Sequence, residues 1–444
     1  MTSNGLWLQR SLDSVWHPCT QMKQHPALPL VPVARAKGVW LEDFEGKRTL
    51  DGISSWWVNL FGHGNPRINA AITDQLEHLE HVMLAGFTHA PAVELAERLS
   101  AKTDGRLGHA FFASDGASAT EIALKMSFHT WQNAGRTEKR EFVCLAGSYH
   151  GETVGALSVT DIPLFRDAYA PLVRNEHVHL VPSPDSRQAQ PGESALDVAN
   201  RAADTLEQLF IARRDKIAAI IIEPLVQCAT GMAMHDPHYL KRVRALCDAY
   251  EVHLICDEIA VGFGRTGSFF AHDQAGIRPD LLCLSKGITG GYLPLSVVLS
   301  TERIYQAFWH DDTRRGFLHS HSYTGNPLAC RAALATLDIF ESDDILSTNR
   351  KLSAHITQRL RPIALHPRVR HFRNRGMIWA ADVETDQPDF NRRFFAHALQ
   401  RGLLMRPIGN TLYLMPPYVL TTAEADWMAE QALGALNDTL TETT

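Results

Sequence analysis

The chain has 444 residues, of which 45% are hydrophobic and 21% charged, a composition typical of a globular protein with a large core. Its net charge of -6 argues against a nucleic-acid partner, because proteins that bind nucleic acids usually carry a strongly basic surface. The most apolar segment, residues 217–222, is far too short to span a membrane.

The cysteines and the first residues bear on the compartment. Seven scattered cysteines with no C-x-x-C pair favour reduced thiols over a disulfide framework. Residues 1–10 lack a basic start followed by an apolar stretch, so we expect no signal peptide. These observations predict a cytoplasmic protein without a nucleic-acid or membrane partner.

The order of predicted elements indicates an α/β fold. Residues 14–62, rich in proline, glycine and tryptophan, predict loops and a small sheet. Short apolar runs then alternate with helical patterns, which predicts a mostly parallel sheet covered by helices. The predicted strands are Phe142–Ala146, Ala218–Ile222, His253–Cys256, Leu281–Leu284 and Ser296–Leu299. We predict a large domain at 66–327 and a smaller α+β domain built from 1–65 and 328–444.

A glycine-containing turn precedes the first strongly apolar helical pattern. Gly116 and Ala117 lie in this turn, and Ser118 and Glu121 have the spacing of a capping box. The N-terminus of a helix offers free N–H groups to an anion such as a phosphate. The same pattern is also that of an ordinary well-capped helix.

Three further residues follow predicted strands. Tyr149 could stack on a flat ring or simply pack in the core. Asp257 ends an apolar strand, where a buried carboxylate needs a cation or else caps the next turn. Lys286 lies just after a buried-strand pattern and before several glycines, so its amine can face the crevice where α/β proteins bind ligands. A surface lysine is the alternative.

Two other motifs are weaker. Residues 262–267 match G-x-G-x-x-G, but no strand immediately precedes the motif and no helix opens inside it, which argues against a dinucleotide-binding site. His319 and His321 could ligate a metal, yet no third ligand has the usual spacing, so we predict no metal site.

The order of these motifs resembles the class III aminotransferases, which are fold type I pyridoxal-phosphate (PLP) enzymes. The resemblance covers about residues 14–418 and rests on Glu223-Pro224, the segment from Asp257 to Gly267, Ser285-Lys286-Gly287, and Ser322-Tyr-Thr-Gly-Asn-Pro327. It implies a homodimer with shared active sites.

The resemblance also implies roles for individual residues. Lys286 would carry PLP and move the substrate proton, Asp257 would keep the ring nitrogen protonated, and Tyr149 would stack on the ring. Gly116 and Ala117 would hold the phosphate, with His321 and Ser322 reaching the neighbouring subunit's site. The family has Gly-Ser where this chain has Gly116-Ala117, which removes a hydroxyl but keeps the backbone donors.

Further motifs resemble the members of the class that aminate 8-amino-7-oxononanoate in biotin biosynthesis. They are Trp16-His-Pro18, Ser54-Ser-Trp56-Trp57, Gly147-Ser-Tyr149-His-Gly, and Arg406-Pro407 with Tyr413-Leu-Met-Pro-Pro-Tyr418. The resemblance implies that the substrates contact Cys19, Trp56, Trp57, Tyr149, Lys286, Ser320, Arg406 and Tyr413.

The amino donor stays open between S-adenosylmethionine and lysine. Cys19 replaces a tyrosine that would stack on adenine, and His319-Ser-His-Ser322 replaces His-Gly-Pro-Thr. This variant segment, together with Thr20-Gln-Met-Lys23, also resembles relatives that use lysine. Another ω-amino-acid transamination is a further alternative.

Overall fold

The structure, a computed structural model, describes residues 2–26, 28 and 30–442. The chain divides into two compact units. The large unit is Arg67–Thr348, and the small unit combines Met1–Pro66 with Asn349–Thr444. Both chain ends therefore belong to the smaller unit. Within the described residues, no helix has the length and apolar character needed to cross a membrane.

The strands and helices of both units are given in chain order. The strands are β1 (Val33–Lys37), β2 (Trp40–Asp43), β3 (Arg48–Asp51), β4 (His109–Ala113), β5 (Glu141–Leu145), β6 (Val178–Val181), β7 (Ile217–Ile222), β8 (Val226–Gln227), β9 (Ala233–Met234), β10 (His253–Asp257), β11 (Leu281–Leu284), β12 (Ser296–Ser300), β13 (Val369–Arg375), β14 (Ile378–Val383), β15 (Leu403–Leu404) and β16 (Thr411–Leu414). The helices are α1 (Ser3–Ser14), α2 (Ser54–Trp57), α3 (Pro66–Leu76), α4 (Ala90–Ala101), α5 (Gly116–Asn133), α6 (Val154–Ser158), α7 (Pro163–Arg166), α8 (Ala195–Arg213), α9 (His238–Tyr250), α10 (Glu302–Gln306), α11 (Pro327–Ser342), α12 (Ile345–Arg359), α13 (Arg361–Ala364), α14 (Phe390–Gln400) and α15 (Thr422–Thr441).

The main sheet of the large unit has the strand order β4-β12-β11-β10-β7-β5-β6. Its pairings are parallel except those made by β12. Every residue of β7 is buried, as expected for a strand covered on both faces. The five predicted strands are all present, and β4 and β6 are additional edge strands. The predicted fold is confirmed.

Helix α5 crosses this sheet and carries much of the core. Its buried face includes Ala119, Ile122, Ala123 and Met126. The N-cap is Asp115, whose carboxylate accepts hydrogen bonds from the backbone N–H and the hydroxyl of Ser118. The predicted capping box of Ser118 and Glu121 is therefore wrong, since the helix begins two residues before Ser118.

The second domain boundary differs from the predicted one. We expected it at 327/328, where α11 starts, whereas the compact units divide after Thr348. Helix α11 packs on α4 and on the 3-10 turn Lys286–Thr289, so its contacts belong to the large unit. The first boundary, between Pro66 and Arg67, lies next to the predicted 65/66.

The small unit contains two short sheets. Strands β1, β2 and β3 form an antiparallel group that β15 extends in parallel, so the N-terminal segment pairs with the C-terminal one. Strands β13, β14 and β16 form the second sheet. Between β3 and α3 the chain makes the turn α2, which contains both Trp56 and Trp57.

Candidate active site

Two predicted catalytic residues of the large unit, Asp257 and Lys286, lie at the carboxyl ends of its central strands. Strands β10 and β11 are parallel neighbours, with Asp257 opposite Cys283. Asp257 ends β10, and Lys286 follows the end of β11. Glu223 directly follows β7, the other neighbour of β10. This edge of a parallel sheet is where α/β proteins bind their ligands.

Lys286 begins a 3-10 turn and has a φ of 45°. Non-glycine residues seldom adopt a positive φ, and such positions are frequent in active sites. Burial lowers the pKa of the Lys286 amine, while the nearby Asp257, Cys228 and Glu223 act in the opposite direction. A lowered pKa increases the fraction of neutral amine, which is the form that acts as nucleophile or base.

Asp257 is held by a buried histidine. Only 3% of Asp257 is exposed, and its Oδ2 accepts a hydrogen bond from Nδ1 of His150 at 2.7 Å. Its Oδ1 accepts one from the backbone N–H of Ile259 at 3.1 Å. His150 is itself fixed, because its backbone N–H donates to Thr160 Oγ1. The Asp257 carboxylate therefore has a defined orientation at the end of its strand.

A second buried carboxyl group anchors the segment that carries Tyr149. The Glu223 Oε2 accepts a hydrogen bond from the Tyr149 N–H, and Oε1 accepts one from the Cys228 N–H, each at 3.0 Å. Burial raises the pKa of Glu223 to about 7, against the opposing effect of His150. The Tyr149 ring contacts Phe165 edge-on, with 5.6 Å between ring centroids. Glu223 thus fixes the backbone of the predicted stacking residue.

The predicted phosphate turn forms the first turn of α5. Gly116 and Ala117 are its first two residues, so their N–H groups have no acceptor within the helix. A Cβ at Gly116 would lie 3.0 Å from Ile259, which follows Asp257 closely in the chain. The glycine therefore lets the helix N-terminus approach the end of β10. The N-terminus of α5 suits an anion such as a phosphate.

The segment containing Ser320, His321 and Ser322 precedes α11. The Nε2 atoms of His319 and His321 are 3.0 Å apart, and Nδ1 of His319 accepts a hydrogen bond from Lys125 Nζ at 2.7 Å. Ser320 and Ser322 are exposed. Their hydroxyls are accessible to a ligand or to another subunit.

The predicted substrate residues of the small unit form two groups. Arg406 donates from Nη2 to the backbone carbonyl of Cys19 at 2.9 Å, and its guanidinium carbon lies 5.4 Å from the centroid of the Trp56 ring. Trp57 and Tyr413 are buried and meet edge to face at 6.1 Å. Trp56, in contrast, is 43% exposed. The structure thus joins Cys19, Trp56 and Arg406 at a surface and packs Trp57 against Tyr413 in the core.

His150 and Glu223 were not among the predicted site residues. Both stand in motifs noted in the sequence, Tyr149-His-Gly and Glu223-Pro224. Their contacts join residues far apart in the chain, since His150 and Asp257 are separated by 107 positions. The sequence signal that could have identified them is their position just after apolar strands.

A model of the family "Aminotransferase class-III" matches residues 20–436. This chain belongs to the class III aminotransferases. Among its relatives, the adenosylmethionine-8-amino-7-oxononanoate aminotransferase of Helicobacter pylori is 44% identical over 93% of each chain.

Two solved structures of aminotransferases show the same fold. The adenosylmethionine-8-amino-7-oxononanoate aminotransferase of Methanocaldococcus jannaschii has a TM-score of 0.91 at 31% identity, with 98% of this chain and 99% of that chain covered. An amine transaminase from an uncultivated Pseudomonas species, in its PLP-bound form, has a TM-score of 0.90 at 32% identity, with 96% and 98% covered.

Class III aminotransferases depend on PLP, and the residues of the large unit fit this cofactor. The buried Asp257 carboxylate suits a protonated pyridine nitrogen, the Lys286 amine suits the aldehyde, and the N-terminus of α5 suits the phosphate. The phosphate would approach α5 at Gly116, which has no Cβ. A Cβ at this position would lie 3.0 Å from the Ile259 side chain.

Proposed function

We propose that this chain transfers an amino group to 8-amino-7-oxononanoate and so forms 7,8-diaminononanoate for biotin biosynthesis, with S-adenosylmethionine as the donor. The observation that carries the proposal is the Lys286 and Asp257 pair at the ends of β11 and β10. The 44% identical relative bears the name of this activity.

Lys286 and Asp257 divide the work at the reacting atoms. When bound, PLP supplies a ring that accepts electrons from the substrate carbon bearing the amino group. Asp257 keeps a proton at the ring nitrogen, and His150 holds the Asp257 carboxylate in orientation. In each half-reaction, Lys286 Nζ takes a proton from the carbon that gives up the amino group. It then delivers the proton to the carbon that receives the amino group. The lowered pKa of Lys286 favours the neutral amine for this transfer.

The remaining cofactor contacts come from three segments. Gly116 and Ala117 would hold the phosphate through their backbone N–H groups, so Ala117 would serve without the hydroxyl of the family's serine. Tyr149 would stack on the ring, with its backbone held by Glu223. His321 and Ser322 complete the phosphate site of the neighbouring subunit.

The small unit supplies the recognition of the substrate. The acceptor is a long aliphatic chain with a carboxylate at one end. The exposed Trp56 ring provides an apolar wall for the chain, and the exposed Arg406 guanidinium binds the carboxylate by two parallel hydrogen bonds. Trp57 and Tyr413 are buried in the small unit. Cys19 and, from the large unit, Ser320 complete the proposed substrate contacts.

Lysine is the second candidate donor, favoured by Cys19 at the position of the adenine-stacking tyrosine. A wider amine specificity is the other alternative, since the Pseudomonas amine transaminase covers nearly the whole chain at 32% identity. The test is to supply the purified holoenzyme with 8-amino-7-oxononanoate and each donor separately. Formation of 7,8-diaminononanoate, measured by mass spectrometry, supports the proposal; wild-type turnover of simple ketones alone would overturn it.

We further infer a cytoplasmic homodimer with shared active sites. The compartment is inferred from the seven scattered cysteines, which include no C-x-x-C pair. Sharing is tested by mixing Lys286→Ala subunits with subunits carrying Ser322→Asp, whose charge would repel the phosphate. Hybrid dimers should regain activity in one site, whereas no recovery after demonstrated subunit exchange would show that Ser322 serves its own subunit.

A further inference from the structure

The turn α2 in the small unit is left-handed. Its four residues, Ser54, Ser55, Trp56 and Trp57, have φ values of 52°, 45°, 71° and 73°. The backbone N–H of Trp57 donates to the Ile53 carbonyl at 2.8 Å, so the turn closes as one helical turn. Each L-residue disfavours this conformation because its Cβ crowds the following carbonyl oxygen, and none of the four is glycine. Neighbouring groups must therefore hold the turn.

Asp51, the last residue of β3, is the main anchor. Its side chain is fully buried, and it accepts hydrogen bonds from both the backbone N–H and the hydroxyl of Ser55, at 2.8 and 2.7 Å. His63 Nε2 lies 3.1 Å from Asp51 Oδ2 and orients the carboxylate from the other side. The Ser54 hydroxyl adds a hydrogen bond to the Met415 carbonyl at 2.8 Å.

The left-handed turn decides which tryptophan is presented at the surface. Trp56 points outward beside the Arg406 guanidinium, whereas Trp57 points inward against Tyr413. In a right-handed turn successive side chains rotate in the opposite sense, so the same two residues would leave the turn in other directions. The exposed position of the Trp56 ring beside Arg406 therefore depends on the left-handed backbone of α2.

We propose that Asp51 is a positioning residue that sets substrate specificity by holding α2 in its left-handed form, with His63 as its support. This inference rests on the proposed function, in which Trp56 forms the wall for the aliphatic chain. Asp51 acts through Ser55 and the backbone. Its loss should therefore weaken binding of 8-amino-7-oxononanoate more than it slows the chemistry.

The test compares two substitutions of Ser55 in the background of Asp51→Asn. Both remove the hydroxyl that Asp51 binds, but glycine adopts a positive φ without cost and alanine does not. In the holoenzyme, Asp51→Asn should raise KM for 8-amino-7-oxononanoate about tenfold, the order expected for a lost hydrogen bond to a charged group, with kcat changed less than about twofold. Asp51→Asn with Ser55→Gly should return KM to within about threefold of wild type. Asp51→Asn with Ser55→Ala should not.

Equal KM values for the two double variants would overturn the inference. If Asp51→Asn fails to fold, the single variants Ser55→Gly and Ser55→Ala decide in the same way, with a larger rise in KM expected for alanine. Failure of the proposed function is a separate result, because wild-type holoenzyme would then not aminate this acceptor at all.

Discussion

The large unit and the small unit hold their candidate functional residues by different means. Asp257 ends β10, where it is buried and paired in register with β11, and Lys286 begins the 3-10 turn that follows β11. Trp56 and Cys19 have positive φ values in irregular segments and are exposed. In the proposed function, the groups for the reaction therefore lie at the ends of regular strands, and the groups for substrate recognition lie in irregular segments.

The largest effect should come from Lys286→Ala in the large unit. This change removes the nucleophile and the proton carrier together, so turnover should fall by several orders of magnitude while the fold is kept. Steady-state kinetics measures the loss, and a thermal melt checks the fold. Retention of a tenth of wild-type activity would mean that another group carries the proton.

Asp257→Asn should slow transamination by about a hundredfold or more while PLP still binds, because an amide cannot keep the ring nitrogen protonated. Single-turnover absorption spectroscopy measures the rate, and cofactor content is the control. His150→Ala leaves the carboxylate but removes its hydrogen-bond donor, so we expect a loss of about tenfold. Unchanged rates in Asp257→Asn would make this aspartate merely structural.

Cys19→Tyr tests the recognition side in the small unit. A base stacked on an aromatic ring gains about 1–3 kcal/mol, so KM for S-adenosylmethionine should fall about five- to hundredfold at about 1.4 kcal/mol per decade. KM for 8-amino-7-oxononanoate should barely move, and lysine serves as the parallel donor. If wild type uses lysine well and S-adenosylmethionine not at all, and the variant changes neither, the proposed donor is wrong.

The smallest effect concerns Glu223 and pH. Burial raises its pKa to about 7 from an ordinary 4.5, so the folded protein binds this proton more tightly than the unfolded chain does. The free energy of unfolding therefore falls as the pH rises from about 4.5 through 7, by at most about 3 kcal/mol. Glu223→Gln removes this dependence. Its melting temperature relative to wild type should be higher at about pH 8 than at about pH 5, and equal differences would contradict the assignment.

The sequence predicted the central strands because their apolar runs are continuous. Leu281–Leu284 was predicted with its observed bounds, and Asp257 and Lys286 were predicted at strand ends. Strands β4 and β6 were not predicted; both are edge strands that are partly exposed, and His179 interrupts the apolar run of β6. The cap of α5 was misassigned because Asp115 and Ser118 are both good capping residues, and spacing alone does not choose between them.

Two features of the site needed the folded chain. The hydrogen bond between His150 and Asp257 joins neighbouring parts of the sheet edge that are remote in sequence. The left-handed turn at Ser54–Trp57 contains no glycine, so its residue types gave no sign of a positive φ. Both features depend on tertiary hydrogen bonds and not on local propensity.

The central claim is that Lys286 and Asp257 perform an amino transfer to 8-amino-7-oxononanoate. The most direct measurement mixes wild-type holoenzyme with S-adenosylmethionine, removes the excess donor, and then adds the acceptor while the cofactor's absorption is followed. We predict that the donor changes the spectrum, that the acceptor restores it, and that one equivalent of 7,8-diaminononanoate appears per active site. A spectrum that the donor changes and only other ketones restore would contradict the claim.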